Sequence, residues 1–123
     1  MSILVVHPGA YYHIESFEAA PYAGYFDRLV RPEDLGSVRL SDYNVVLVPC
    51  RTPADRMTPR IDQLAAYLDA GGTVVATGES ESQLFLPGIS FTPQPTNFWW
   101  WLTPGADLGV RIAAPEHPLF RRL

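Results

Sequence analysis

The chain contains no lysine; every basic side chain is an arginine. That excludes a Schiff-base lysine and the lysine of a phosphate-binding loop. Cysteine is almost absent too. Cys50 stands alone, so no intrachain disulfide can form and nothing points to an oxidising compartment. No segment approaches the ~20 apolar residues of a membrane helix. The amino-terminal apolar run, Ile3 to Val6, is too short for a signal peptide and has no basic flank. A basic patch is missing beyond Arg121-Arg122, and the net charge is −4, which argues against nucleic-acid binding. A GxGxxG phosphate loop is missing as well. The three histidines, His7, His13 and His117, show neither i, i+4 spacing nor a CxxC partner, so neither a metal site nor a cofactor is expected. The default expectation is a cytoplasmic protein.

What is present is a core. Apolar residues make up 47% of 123 residues, enough for one domain over residues 1–123. A doubly wound sheet is built from βαβ units of roughly 30 or more residues each, so a minimal or truncated version is expected. Ser2 to His7, Asn44 to Pro49 and Thr73 to Thr77 are β-branched runs without polar alternation. Strands buried on both faces of a parallel sheet read this way. Between the second and third runs the sequence predicts a helix with Thr58 as N-cap and Pro59 at its first position. Ile61, Leu64, Ala65 and Leu68 share one face of it, and Gly71-Gly72 supplies the left-handed stop. Ile14 to Ala20 predicts a short helix cut by Pro21, Phe26 to Val30 an edge strand, Arg31 to Leu35 a helical turn, and Leu108 to Ala113 a last strand. The fold class is therefore α/β, a flavodoxin-like three-layer domain with a mainly parallel sheet.

Ligands of open parallel sheets bind outside the carboxyl ends of the strands. The loops there carry Tyr11, Tyr12 and His13; Cys50, Arg51, Thr52 and Asp55; and Glu79, Ser80 and Glu81. Each has a plain reading beside its chemical one. Cys50 is a nucleophile if a histidine lies within reach, or a small residue packed at a strand end. His7 ends a buried strand, where it serves as a base or bonds a neighbouring backbone group. His13, in a loop after two tyrosines, is a binding residue or is merely exposed. Arg51 clamps an anion or pairs with Asp55 or Glu79. Glu79 and Glu81 are acid/base candidates or solvated loop charges. Phe98-Trp99-Trp100-Trp101, preceded by Asn97, is too aromatic to leave fully exposed. It closes the core, stacks on a ligand or docks on another chain.

Two stretches, Leu40-Ser41-Asp42-Tyr43-Asn44-Val45-Val46-Leu47-Val48-Pro49 and Ala65-Ala66-Tyr67-Leu68-Asp69-Ala70-Gly71-Gly72-Thr73-Val74-Val75-Ala76-Thr77-Gly78, carry a family likeness. They resemble the class I glutamine amidotransferase-like superfamily, in particular its trehalose-utilisation (ThuA-like) branch and the amidotransferase-like domain of some β-galactosidases. Glu116-His117-Pro118-Leu119 is similar to a histidine-proline turn late in ThuA-like domains. The resemblance covers about residues 1–80 and implies a fold with a ligand-binding edge. The catalytic members place a cysteine just after the strand that here is Thr73 to Thr77. This sequence has Gly78-Glu79 there and no counterpart of their later His-Glu pair, so the resemblance implies no amidotransfer. ThuA-like domains also continue beyond such a turn. Further strands are then expected to be missing or to be supplied by another chain, and a homodimer is the expected assembly.

Three functions follow. The first is a non-catalytic domain binding a small polar ligand, a carbohydrate for example, through Tyr11, Tyr12, His13, Arg51, Glu79, Ser80, Asn97, Trp99 and Trp100. The second is a hydrolase using Cys50 or Glu79 with His13 or His7. The third is an interaction module docking through Phe98 to Trp101.

Overall fold

Two of the three β-branched runs form the centre of a four-stranded sheet. The third, Thr73 to Thr77, corrects the expectation: it lies at the end of the strand order and is partly exposed rather than buried on both faces. In the computed structural model, which describes residues 1–92, 99, 102–107, 111–112 and 114–117, the strands are β1 (Ile3–Val6), β2 (Arg28–Val30), β3 (Val45–Val48) and β4 (Thr73–Ala76). Their order is β2-β1-β3-β4 and every neighbouring pair is parallel. Leu4 lies opposite Arg28 on one side and Val46 on the other, and Val46 opposite Val74. β1 and β3 are thus the inner strands, as their unbroken apolar sequences require.

Side chains alternate across the sheet, and the two faces differ. Leu4, Val6, Val46 and Val48, fully buried, point into the main core with Leu35, Met57, Leu64 and Phe85. On the opposite face Val5 is buried but Leu47 is only half-buried, and Val75 is 36% exposed. That face is incompletely covered over β3 and β4.

The helices are α1 (Tyr11–Phe17), α2 (Ala54–Met57) and α3 (Ile61–Asp69), joined by 3-10 turns that include Pro32–Ser37 and Thr58–Arg60. Three expectations need correction here. α1 starts three residues earlier than Ile14, which places His13 on a helix rather than in a loop. Thr58 is not an N-cap: the chain already coils over Ala54–Met57, and the Thr58 hydroxyl donates back to the Asp55 carbonyl at 3.1 Å. Ile61, in the first turn of α3, is exposed, and the buried face is Leu64 with Tyr67. Tyr67 is drawn inward because its hydroxyl donates to the Tyr43 carbonyl at 3.0 Å, giving the buried ring a polar outlet. The expected stop holds. Gly71 turns with φ +88°, and the Gly71 and Gly72 amides return to the carbonyls of Leu68 and Tyr67.

The chain separates into two compact units, Met1–Phe91 and Thr92–Leu123. In the second, short turns join Leu102 to Trp99 and Ala106 to Thr103, and Arg111 pairs with Asp107. The strand expected over Leu108 to Ala113 lies largely outside the described residues, as do Pro118 and Leu119 of the histidine-proline turn. Among the described residues no helix is long and apolar enough to cross a membrane.

Candidate functional site

Strand order reverses between β1 and β3: from β1 the chain moves outward to β2, then returns to the other side to lay down β3. The loops leaving β1 and β3 therefore diverge at the carboxyl edge, and ligands of such sheets sit at that edge. α1 begins directly after β1, so its first turn stands at this edge.

His13 joins the two sides of this edge. Its Nε2 donates to the Cys50 carbonyl at 2.8 Å, from α1 to the loop after β3. A carbonyl can only accept, so Nε2 carries a proton, and in the neutral ring Nδ1 keeps a lone pair. The side chain is 3% exposed and Nδ1 has no hydrogen-bond partner. Tyr12 packs edge-on against it, with ring centroids 4.4 Å apart.

The loops after β3 and β4 are laced together. The Cys50 amide donates to the Thr77 hydroxyl at 2.9 Å and the Arg51 amide to the Glu79 carbonyl at 3.1 Å. The Arg51 guanidinium pairs with the Glu79 carboxylate at 3.4 Å, in solvent. Gly78 lies so close that a Cβ there would stand 2.7 Å from Cys50 Sγ. Thr52 is buried and its hydroxyl donates to the Pro49 carbonyl. Ser80 is 2% exposed, and its hydroxyl has no partner. Arg51 and Glu81 both adopt left-handed backbone, φ 60° and 47°, although neither is glycine. Such strain costs roughly 1–2 kcal/mol per residue and gathers where structure serves a function.

His13, Cys50, Arg51, Glu79 and Ser80, all named from the sequence, thus belong to one edge. Tyr11 and Tyr12 stand beside them, exposed, on the first turn of α1. Trp99 belongs to the second unit, with an exposed side chain, while Asn97, Phe98, Trp100 and Trp101 lie outside the described residues. No hydrogen bond joins His13 to the Cys50 thiol; the ring meets the backbone carbonyl instead. Among the described residues no group of three or more His, Cys, Asp or Glu side chains could hold a metal ion.

His7 has partners that the sequence did not indicate. It is 2% exposed, and the Arg31 Nη1 donates to its Nδ1 at 3.2 Å. A guanidinium cannot accept, so Nδ1 carries the lone pair and Nε2 the proton, with Glu18 Oε1 3.5 Å from Nε2. Burial, then the Arg31 charge, hold the His7 pKa below the usual histidine value; His13 adds to this and Glu18 opposes it. Beside this group opens a cleft of about 780 Å³, lined by Phe17, Glu18, Phe26, Arg28, Arg31 and Asp34 among others. It flanks the edge strand β2, and neither His13 nor the Cys50 loop lines it. A smaller cleft of about 490 Å³ lies by the amino end of β3 and the end of α3, near Tyr43, Gln63 and Tyr67. Neither Glu18 nor Arg31 has a sequence signal: both lie in segments read only as a helix end and a turn.

No protein-family model matches the chain, and neither a curated protein nor a solved structure matches it.

Proposed function

We propose that the chain is a non-catalytic, flavodoxin-like α/β domain, akin in fold to ThuA-like domains, that binds a small polar ligand at the carboxyl edge of its sheet. The observation that carries this reading is His13 Nδ1, a buried lone pair without a donor beside a strand-order reversal. A buried polar atom without a partner costs about 1–3 kcal/mol, and a ligand hydroxyl or amide N–H would offset that. Ser80, buried with its hydroxyl unpartnered, and the left-handed Arg51 and Glu81 support the same edge. Hydroxyl-rich ligands, carbohydrates first, match such acceptors and donors. The setting proposed is the cytoplasm, where a lone thiol such as Cys50 stays reduced. The hydrolase alternative gains no support from Cys50, whose thiol makes no hydrogen bond to His13, or from Glu79, which pairs with Arg51.

The test is thermal denaturation with a panel of sugars and polyols. Some member raises the midpoint of the wild type. Ser80→Ala does not lower the midpoint of the free protein, since its hydroxyl has no protein partner, and it reduces the ligand-dependent rise. The proposal fails if no member raises the midpoint, or if Ser80→Ala and Arg51→Ala both keep the full rise.

A second reading, a homodimer, is favoured by β4. Among the described residues it is an edge strand, and Val75 on its less covered face is 36% exposed. Light scattering over a concentration range tests it: a dimer in which Val75→Asp lowers the mass supports this contact, and a strict monomer removes it.

A further inference from the structure

We propose that Arg31 is a clamp on the turn between β1 and α1, held by neutral His7 and released when His7 takes up a proton. The guanidinium lies across Gly9. Its Nη1 reaches His7 Nδ1 at 3.2 Å and the His7 carbonyl at 3.4 Å. A Cβ on Gly9 would stand 2.1–2.8 Å from the guanidinium atoms, so only glycine, here at φ +83°, lets the arginine lie against the backbone. Arg31 therefore ties the carboxyl end of β2 to the turn that launches α1 and, with it, His13.

The tie depends on one lone pair. Protonated His7 carries a hydrogen on Nδ1, so a donor would face a donor and a cation a cation. Among the described residues the charged or titratable groups facing His7 are Arg31, just after β2, Glu18, just after α1, and His13 of α1. Of these only Glu18, at 3.5 Å from Nε2, favours the charged ring. It stands 3.9 Å from Arg31 Nη2, so on protonation it is drawn to the imidazolium and further loosens the arginine. Arg31 has somewhere to go: it lines the open cleft together with Asp34. Burial, Arg31 and His13 hold His7 neutral near pH 7, consistent with a clamp closed there and opening in acid. None of this requires a ligand, so the clamp stands or falls separately from the binding reading.

The experiment is a pH titration of the full chain by NMR, following the His7 ring nitrogens and the Gly9 amide from about pH 5 to 8. Expected are the Nε2–H tautomer at neutral pH, a His7 midpoint below the ordinary ~6.5, and a Gly9 amide that moves with the same midpoint. Arg31→Ala raises the His7 midpoint and uncouples Gly9 from it. Glu18→Gln, at a half-exposed side chain that the fold does not need, lowers the midpoint. An Nδ1–H tautomer, a Gly9 amide that ignores the His7 titration, or a His7 midpoint unmoved in both variants overturns the proposal.

Discussion

Gly78→Ala perturbs the place where the loops after β3 and β4 meet. Gly78 has φ +58°, where an L side chain costs about 1–2 kcal/mol. The new Cβ would also stand 2.7 Å from Cys50 Sγ and 2.9 Å from Cys50 Cβ. Sulfur can swing away by changing rotamer, but Cβ cannot. The Cys50 backbone is pinned by its amide to Thr77 and by its carbonyl to His13. Overpacking of this kind costs about 1–3 kcal/mol, so the substitution should destabilise by about 2–5 kcal/mol in all. The assay is urea denaturation read as a midpoint shift at constant slope, closed as a cycle with Cys50→Ala. Removing Sγ relieves part of the clash and none of the backbone strain. Gly78→Ala should therefore cost about 0.5–2 kcal/mol less in the Cys50→Ala background, yet still at least about 1 kcal/mol. A cost below about 0.5 kcal/mol, or one unchanged by Cys50→Ala, would refute the close approach of the two loops.

Phe85→Ala should destabilise by about 3–5 kcal/mol in the same assay, because Phe85 is a fully buried member of the main core although it lies beyond the last strand. Arg51→Gly should stabilise by up to about 1 kcal/mol, since it relieves φ 60° and loses only an exposed ion pair with Glu79. A loss of stability on denaturation would show that the pair outweighs the strain. Stability should fall in acid on account of His7. Its folded pKa is lowered by burial and by Arg31, so between that value and about 6.5 the unfolded chain binds more protons. The contribution is complete above about pH 6.5 and is lost as pH falls toward the folded value. Denaturation midpoints against pH should show this slope shrink in Arg31→Ala.

The sheet was legible because burial on both faces leaves a plain mark. Ile3 to Val6 and Val45 to Val48 are inner strands and the glycine pair after Ala70 is a stop. The same mark on Thr73 to Thr77 belongs to a partly exposed outer strand, because apolar β-branched residues suit a pleated strand whether or not both faces are covered. Helix starts were harder to read. Tyr11-Tyr12 carries no cap, and α1 begins there because the turn at Gly9 sets its direction. Thr58-Pro59 looked like a start, but a coil already present over Ala54–Met57 turned the threonine back on Asp55. At the site, strand ends located Cys50, Arg51, Glu79 and Ser80, since topology alone carries those residues to one edge. What topology cannot convey is pairing through side chains. The contact of His13 with the Cys50 carbonyl, and those of Glu18 and Arg31 with His7, arise from packing between segments 11 to 37 residues apart. No spacing rule encodes such distances.

The central claim, a ligand at the carboxyl edge beside His13, is tested most directly by chemical-shift mapping of the full chain. Sugars and polyols would be titrated in while the His13 ring nitrogens are followed. The account predicts shifts at Ala10 to His13, Cys50 to Thr52 and Gly78 to Ser80, with His13 Nδ1 moving as it gains a donor. Shifts confined to the cleft beside β2 or to the β4 face, or a His13 Nδ1 untouched by every ligand, would contradict it.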